Sequence, residues 1–196
     1  CEGERKLFCA NALAMPGKHN LQNMLLVTAA ALEAGLTPET IESALRCFDG
    51  VPHRLESLGT VQGVAVFNDS KATNYDAAAV GLQSVPNPVV LLAGGQTKQG
   101  DAQHWLQLLK ERSSAVVLFG AGADELRGLI EASAFPGAVS THRGLDEAVP
   151  DALELARQQQ AASILLSPAC ASFDQYSDFE ARGNHFRKLI ETNRST

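Results

Sequence analysis

A run of polar residues follows an apolar stretch of strand length in the first half of the sequence. The stretch "VAVF" leads directly into "NDSKATN", residues 68–74. Here Lys71 offers a compact positive charge and Thr73 a hydroxyl, and both suit a carboxylate or a phosphate. Asp69 can accept hydrogen bonds from ribose hydroxyls, and Asn74 can cap a following helix. A polar turn with a helix cap explains these residues equally well, so both interpretations stay open.

Two further polar segments follow apolar runs. In "GGQTKQGD" a pair of glycines precedes Lys98, so the backbone can approach a ligand and the amine can bind an anion. In "SPACASFDQ", Ser167 and Ser172 accompany free backbone N–H groups before a helix, an arrangement that favours anions. Ordinary N-capping is the simpler explanation of the second segment.

The elements that must position these segments alternate regularly from about residue 56 onward. Apolar runs of strand length alternate five times with helical stretches. The strands are rich in Val and Leu and almost continuously apolar, which is typical of strands buried on both faces. This pattern predicts an α/β fold with a doubly wound, mainly parallel sheet and right-handed crossovers. Ligands of such sheets bind beyond the carboxyl ends of the strands, where the polar segments lie.

The first 52 residues predict helices with no sheet to lie on. "HNLQNMLLVTAAALEAG" is rich in Ala and Leu, with Gly35 as a plausible end. A second helix is predicted with Thr37 as its N-cap and Pro38 at its first position. We expect the boundary between the two parts near Pro52 to Leu58. The sequence starts without Met and in the middle of a pattern, so we expect a piece of a longer protein.

Composition argues against several classes of partner. The formal net charge is −6 and the basic residues are scattered, so no nucleic-acid partner is expected. No apolar run is long enough to cross a bilayer, so no membrane partner is expected. The five histidines form no visible ligand set, and the cysteines form no C-x-x-C pair, so no metal site is expected. The cysteines, expected to be idle thiols of a reducing cytosol, are Cys1, Cys9, Cys47 and Cys170.

Other candidate residues are ambiguous by themselves. Arg54 in "PHRLE" can hold a phosphate, or form a structural salt bridge. Asn20 and Asn23 lie three apart, on one helical face, where they can contact an adenine edge or face water. "GAGADE" only half-fits G-x-G-x-x-G, and a tight strand-to-helix turn explains it better than a dinucleotide site.

Taken together, these stretches resemble the Mur ligase family, and within it the type that adds D-glutamate. The blocks that match, in order, are "GKHNLQN", "FDGVPHRLE", "NDSKATN", "LLAGGQTK" and "LLSPACASFDQYSDFEARG". "DSKATN" and "SPACASFDQ" are highly specific. The resemblance implies that residues 1–52 are the C-terminal end of a central P-loop ATPase domain. It implies that residues 53–196 are a C-terminal Rossmann-like domain.

The resemblance also implies roles for individual residues. For the nucleotide, the resemblance implies that Asn20 and Asn23 lie near the adenine, and that Arg54 and Asp69 lie at the phosphates and ribose of ATP. It implies that the D-glutamate site is formed by Lys71, Thr73, Lys98, Ser172, and the backbones of Phe173 and Phe179. Lys71 and Lys98 would stabilise charge during the reaction.

The activity that the resemblance implies is an ATP-dependent ligase that adds D-glutamate to UDP-N-acetylmuramoyl-L-alanine through an acyl phosphate, in peptidoglycan synthesis. The cofactors would be ATP and Mg²⁺, with the magnesium ligands in a preceding N-terminal part, so the chain alone would be inactive. A cytoplasmic monomer is expected. Two alternatives stay open: a non-catalytic nucleotide- or anion-binding module of the same fold, and a nicotinamide-dependent oxidoreductase domain.

Overall fold

A computed structural model describes residues 6–13, 15 and 17–194 of the chain. It divides into two compact units, Cys1–Val51 and Pro52–Thr196. The predicted domain assignment, with the first unit as the end of an ATPase domain, stays a prediction. Of the four cysteines, Cys1 lies outside the described residues. The others are free thiols, with Cys9 and Cys47 exposed and Cys170 buried.

The first unit is helical. A short 3-10 helix at Ala10–Ala12 precedes α1 (Lys18–Glu33) and α2 (Pro38–Arg46). The predicted end of α1 is confirmed, because Gly35 adopts a φ of +83° there and the chain turns away from the helix axis. The predicted start of α2 is also confirmed, since the Thr37 side chain accepts a hydrogen bond from the Thr40 N–H at 3.3 Å.

The second unit contains one six-stranded sheet in the order β1-β2-β6-β3-β4-β5. All neighbouring strands are parallel except β1 and β2, which form an antiparallel pair. The predicted α/β, mainly parallel sheet is therefore confirmed. The strands are β1 (Glu56–Val61), β2 (Val64–Asn68), β3 (Val89–Gly94), β4 (Ser113–Phe119), β5 (Ala138–His142) and β6 (Ser163–Leu166).

Strand β1 was not predicted, because its first residues lie in the segment where we expected the boundary between the two parts. Two features hide it in the sequence. The turn to β2 has Gln62 and Gly63, both at positive φ, where Asn-Gly is the usual signal. The pairing register also shifts between Ser57 and Thr60, next to Gly59 at φ +80°, which interrupts the alternation of a strand.

Five helices cover both faces of this sheet, as a doubly wound fold requires. The helices are α3 (Tyr75–Ser84), α4 (Gln103–Arg112), α5 (Ala123–Ala132), α6 (Leu145–Gln158) and α7 (Phe179–Arg194). One core packs α3, α4 and α5 on the sheet, with Trp105 at its centre. The other packs α6 and α7 through residues such as Phe186. Trp105 is completely buried in the first of these cores.

The strand order places three polar loops side by side. Strands β2 and β3 are consecutive in sequence, but β6 lies between them and pairs with both in parallel. The loops after β2, β6 and β3 therefore leave the same edge of the sheet next to one another. This is the edge at which ligands of open α/β sheets bind.

Candidate active site

The loop after β2 is held by hydrogen bonds from backbone N–H groups to oxygens of the same loop. The Ser70 N–H donates to Asn68 Oδ1 at 3.2 Å, and the Ala72 N–H donates to Asp69 O at 2.9 Å. Asn74 Oδ1 then accepts from the Ala77 N–H at 2.8 Å, which confirms the predicted cap of α3. The segment that contains Lys71 is therefore fixed at both ends.

Lys71 and Thr73 project from this fixed loop and are half-buried. The Lys71 ammonium lies 3.8 Å from the centroid of the Phe179 ring. No carboxylate of the described residues lies within salt-bridge distance of it. The charge of Lys71 is therefore available to an anion.

The loop after β3 is tied to both neighbouring loops. The Gly95 N–H donates to Phe119 O at 3.0 Å, and Gly95 O accepts from the Gly122 N–H at 2.7 Å. Gln96 and Ala171 exchange two backbone hydrogen bonds, of 2.8 and 2.9 Å, which join this loop to the one after β6. Gly95 sits at φ +121°, and a Cβ there would overlap the carbonyl oxygen of Ala171, so the close approach requires glycine.

Lys98 is exposed two residues beyond Gln96. It forms no salt bridge with the described residues. The neighbouring Thr97 hydroxyl donates to Glu125 Oε2 at 2.7 Å, which anchors the loop to α5 just before the lysine. The turn before α5 is the tight strand-to-helix turn that we predicted for "GAGADE".

The loop after β6 corrects one prediction. We expected its free N–H groups to stand just before a helix, but α7 begins only at Phe179. Its backbone instead forms a turn, in which Ser172 O accepts from the Gln175 and Tyr176 N–H groups at 3.2 and 2.9 Å. Asp174 Oδ2 accepts from the Ala121 N–H at 2.9 Å and ties this turn to the end of β4. Ser172 is buried at this junction, one residue beyond the pairing with the Lys98 loop.

The three loops meet at Arg182, a residue that sequence reasoning missed. Its guanidinium is completely buried and donates to carbonyl oxygens of Ser70, Gly94 and Cys170 at 2.9, 3.3 and 3.1 Å. A further bond of 3.0 Å runs to the Ser70 hydroxyl. Burial lowers the pKa of Arg182 to about 10, yet the group stays cationic at neutral pH.

A signal for Arg182 was present in the sequence. The buried face of α7 has Arg182, Phe186 and Ile190 at intervals of four. An arginine at the first position of an apolar stripe is unusual, because a fully buried charge needs partners. Here the partners are mainly backbone carbonyls of distant loops, which no local pattern reveals.

Asp69, predicted to accept from ribose, points into the protein. Its Oδ1 accepts from the Leu55 N–H at 3.1 Å, and its Oδ2 accepts from the Ser167 hydroxyl at 2.9 Å. Burial raises the pKa of Asp69 to about 7, although these hydrogen bonds and the charge of Arg54 oppose the rise. The geometry gives Asp69 a structural role, and its contact with a nucleotide stays a prediction.

Arg54 is exposed and forms no salt bridge with the described residues. The glutamate two residues later, Glu56, pairs instead with Arg187 of α7 at 2.6 Å. Glu56 Oε2 also accepts from the Asn68 amide and from the His53 N–H, both at 3.1 Å. The structural salt bridge of the "PHRLE" segment thus involves Glu56 and leaves the Arg54 guanidinium accessible.

The remaining nucleotide candidates lie in the first unit. Asn20 and Asn23 both belong to α1, where Asn20 is buried and Asn23 exposed. Their predicted position near an adenine stays a prediction. Among the described residues, no three His, Cys, Asp or Glu side chains are grouped to hold a metal ion.

An open cleft of about 370 Å³ lies at the β5–α6 side of the same edge. Tyr176, with its hydroxyl 2.9 Å from His185 Nδ1, forms part of its wall. The lining residues are Arg143, Gly144, Asp146, Glu147, Gln175, Tyr176 and His185. None of the predicted site residues is among them, and the charges are mixed, so no ligand class is indicated.

Comparison with known proteins identifies the family. The family model described as "Mur ligase, glutamate ligase domain" matches residues 53–170. The chain belongs to the Mur ligase family. The match lies wholly within the second unit and includes the loops of Lys71 and Lys98 and the start of the loop after β6, up to Cys170.

Several named relatives are similar over nearly the whole chain. UDP-N-acetylmuramoylalanine–D-glutamate ligase of Synechococcus sp. (strain CC9605) is 64% identical over 94% of this chain and 40% of its own length. The protein of the same name from Prochlorococcus marinus (strain MIT 9313) is 62% identical over 97% of this chain and 42% of its own. The chain thus spans about two fifths of the length of these Mur ligases.

Two solved structures share the fold. Folylpolyglutamate synthase of Mycobacterium tuberculosis, solved with ADP and AMPPCP, matches with a TM-score of 0.68 at 18% identity, over 90% of this chain and 41% of that one. UDP-N-acetylmuramate-alanine ligase of Thermotoga maritima matches with a TM-score of 0.62 at 17% identity, over 92% of this chain and 39% of that one. These likenesses agree with a Rossmann-like α/β architecture. Among the described residues of this Mur ligase chain, no helix is both long and apolar enough to cross a membrane.

Proposed function

We propose that this chain belongs to an ATP-dependent ligase that joins D-glutamate to UDP-N-acetylmuramoyl-L-alanine in peptidoglycan synthesis. The names of relatives at 64% and 62% identity support the substrate. Because the chain spans about two fifths of their length, we assign the activity to a full-length parent. We expect these 196 residues alone to be inactive.

The observation that supports the D-glutamate site is a pair of lysines without carboxylate partners. Lys71 and Lys98 project from the two strand-end loops that flank the loop after β6, and neither forms a salt bridge with the described residues. D-Glutamate has two carboxylates, so its site needs two cations and further donors. The hydroxyl of Thr73, in the loop after β2, and that of Ser172, in the loop after β6, supply those donors.

The reaction that we propose has two steps. ATP transfers its γ-phosphoryl group to the carboxylate of UDP-N-acetylmuramoyl-L-alanine, which gives an acyl phosphate and ADP. The amine of D-glutamate attacks the acyl carbon, and the tetrahedral intermediate collapses to an amide and inorganic phosphate. Residues of this chain hold D-glutamate in position for that attack and stabilise its charge, which lowers the entropic part of the barrier. None of them needs to act as a proton-transfer base.

The proposed nucleotide contacts are less direct. Arg54 is exposed next to the loop after β2, so its guanidinium can reach a phosphate. Asn20 and Asn23 would contact the adenine. Magnesium would be bound by residues that precede this chain. A cytoplasmic location and a monomeric state also stay predictions.

A nicotinamide-dependent oxidoreductase is disfavoured by the loop after β2. A dinucleotide-binding sheet has G-x-G-x-x-G at the first crossover of its parallel strands. That position here is "NDSKATN", which contains a lysine and an aspartate whose carboxylate accepts a hydrogen bond from the Ser167 hydroxyl.

The test is phosphate release by the full-length parent, supplied with ATP, magnesium and UDP-N-acetylmuramoyl-L-alanine. We expect release that depends on D-glutamate, with L-glutamate as the control. If folded protein that binds ATP releases no phosphate, the non-catalytic binding module becomes the better description.

A further inference from the structure

Lys71 is positioned by an aromatic ring rather than by a carboxylate. Its ammonium lies 3.8 Å from the centroid of the Phe179 ring, within the range of a cation–π interaction. Two other cations of the chain are held by carboxylates: Arg187 pairs with Glu56 and Arg157 with Glu154, each at 2.6 Å. Lys71 thus differs from these structural cations in having a neutral partner.

Phe179 is held by contacts of its backbone and of its ring. The backbone carbonyl oxygen of Phe179 accepts a hydrogen bond from the Ser70 hydroxyl at 2.8 Å, which joins the start of α7 to the Lys71 loop. The His53 ring contacts the Phe179 ring edge-on, with centroids 6.2 Å apart and an interplanar angle of 78°. Asp178 Oδ1 accepts from the Ala181 N–H at 2.6 Å and so caps α7 just before Phe179. Hydrogen bonds therefore fix the backbone around Phe179, and the edge of the His53 ring contacts the Phe179 ring.

His53 links the ring to the lysine backbone. Its carbonyl oxygen accepts from the Lys71 N–H at 3.1 Å, while its Nδ1 lies 3.0 Å from the Asn68 amide nitrogen. The amide nitrogen can only donate, so Nδ1 accepts and the neutral imidazole has its proton on Nε2. Both the backbone and the ammonium of Lys71 are thus positioned by neutral groups.

The choice of partner matters for binding. A carboxylate would fix the lysine, but it would also compete with the carboxylates of an incoming ligand for the same ammonium. An aromatic face attracts the ammonium through its quadrupole and has no net charge, so the positive potential above the lysine persists. The charge of such a cation is not neutralised by a protein carboxylate. Its side chain is also ordered before the ligand binds, which reduces the entropic cost of binding.

We propose that the Phe179 side chain is a positioning residue that preorganises Lys71 for a carboxylate of D-glutamate. This role of the ring is additional to any backbone contact of Phe179 with the substrate. The identity of the ligand rests on the function proposed above, whereas the contact of the ring with the lysine does not.

The test uses full-length parent protein in which Phe179 is replaced by phenylalanines with one, two and three ring fluorines. Fluorination withdraws charge from the ring face and changes its shape very little. We expect the KM for D-glutamate to rise steadily with fluorine number, by about two- to five-fold at full loss of the interaction. The KM for ATP should stay unchanged. The same fluorination at Phe186, which is buried in α7 and has no cation over its ring among the described residues, is the matched control.

A second readout is independent of activity. In full-length protein with ¹³C at lysine Cε, ring current should shift the Lys71 Hε signals upfield, and Phe179→Leu should remove the shift. The signals are assigned by their absence in Lys71→Arg. Lys71 signals at ordinary positions would overturn the ring contact.

The outcomes separate the two proposals. The positioning role is overturned if fluorination leaves the KM for D-glutamate unchanged in an enzyme whose phosphate release depends on D-glutamate. The proposed function then remains intact. Absence of release that depends on D-glutamate overturns the proposed function and the ligand with it, while the Lys71 signals still decide the contact.

Discussion

The carboxylate of Asp69 accepts a hydrogen bond from the hydroxyl of Ser167 at 2.9 Å, which joins the loop after β2 to the loop after β6. Gly81 of α3 makes room for this pair, because a Cβ there would lie 2.6 Å from Asp69 Oδ2 and 2.9 Å from Ser167 Oγ. The other carboxylate oxygen accepts from the Leu55 N–H. Asp69 is thus a buried carboxyl group whose hydrogen-bond partners are neutral.

This environment predicts a pH dependence of stability. The pKa of Asp69 rises from an ordinary 3.8 to about 7, mainly because burial disfavours the carboxylate. Between these values the folded state keeps a proton that the unfolded state has lost. The contribution of Asp69 to the free energy of unfolding therefore falls as pH rises from about 4 to about 7, by at most about 1.4 kcal/mol per pH unit, and is constant above that.

Asp69→Asn should remove this slope, because the amide does not titrate. The measurement is urea unfolding of the chain at a series of pH values, followed by the fluorescence of Trp105, the single tryptophan. Trp105 is buried in the second unit and reports on its unfolding. Parallel curves for the wild type and Asp69→Asn between pH 4 and 7 would refute the prediction.

Two glycines in helices should respond oppositely to alanine. A Cβ on Gly183 of α7 would overlap the His53 ring, which is pinned by Asn68, whereas a Cβ on Gly128 of α5 would meet nothing within 4 Å. We expect Gly183→Ala to lower the free energy of unfolding by about 1–3 kcal/mol. Gly128→Ala should be neutral or stabilise by up to about 1 kcal/mol, since alanine is the better helix former. Urea unfolding distinguishes the two, and equal effects would contradict the packing of His53 on α7.

The fold was predicted well because its signals are local. Four of the five parallel strands, all except β5, contain a short apolar run. The caps at Thr37 and Asn74 are formed by residue types with a known preference. Strand β1 was missed because its pairing depends on a turn at Gln62 and Gly63 and on an irregular register. Neither feature leaves an alternating pattern in the sequence.

The roles of the candidate site residues stay predictions, and the sequence did not predict how the loops that contain them are organised. Lys71 and Lys98 are recognisable by their place after strands, and the structure puts both of their loops next to the loop after β6, because β6 lies between β2 and β3. Arg182 donates hydrogen bonds to Ser70 and Gly94, which lie 112 and 88 positions before it in the sequence. Such contacts arise from tertiary packing, so sequence spacing does not reveal them. Their effect can be measured through Arg182 itself.

Arg182→Lys should weaken the junction of the three loops. A lysine keeps a positive charge, but its single ammonium cannot reach all the carbonyls that the planar guanidinium spans. With one or more buried acceptors unsatisfied, we expect the free energy of unfolding to fall by about 1–3 kcal/mol. Arg157→Lys, at an exposed pair with Glu154, is the control and should change stability by less than about 0.5 kcal/mol. An unchanged urea midpoint for Arg182→Lys would show that the hydrogen bonds of Arg182 do not stabilise the loops.

Lys98→Ala tests the substrate site in the full-length enzyme. A charge-assisted hydrogen bond contributes about 1.5–3 kcal/mol, so its loss should raise the KM for D-glutamate by about ten-fold or more. The KM for ATP should change much less, since Lys98 lies on the loop assigned to D-glutamate. Lys110→Ala is the matched control, because Lys110 is an exposed lysine in the last turn of α4, outside the strand-end loops. Steady-state kinetics with varied D-glutamate give the answer, and a KM for D-glutamate equal to that of the wild type would remove Lys98 from the site. A uniform loss of kcat with both KM values unchanged would instead assign Lys98 to an interaction made only in the transition state.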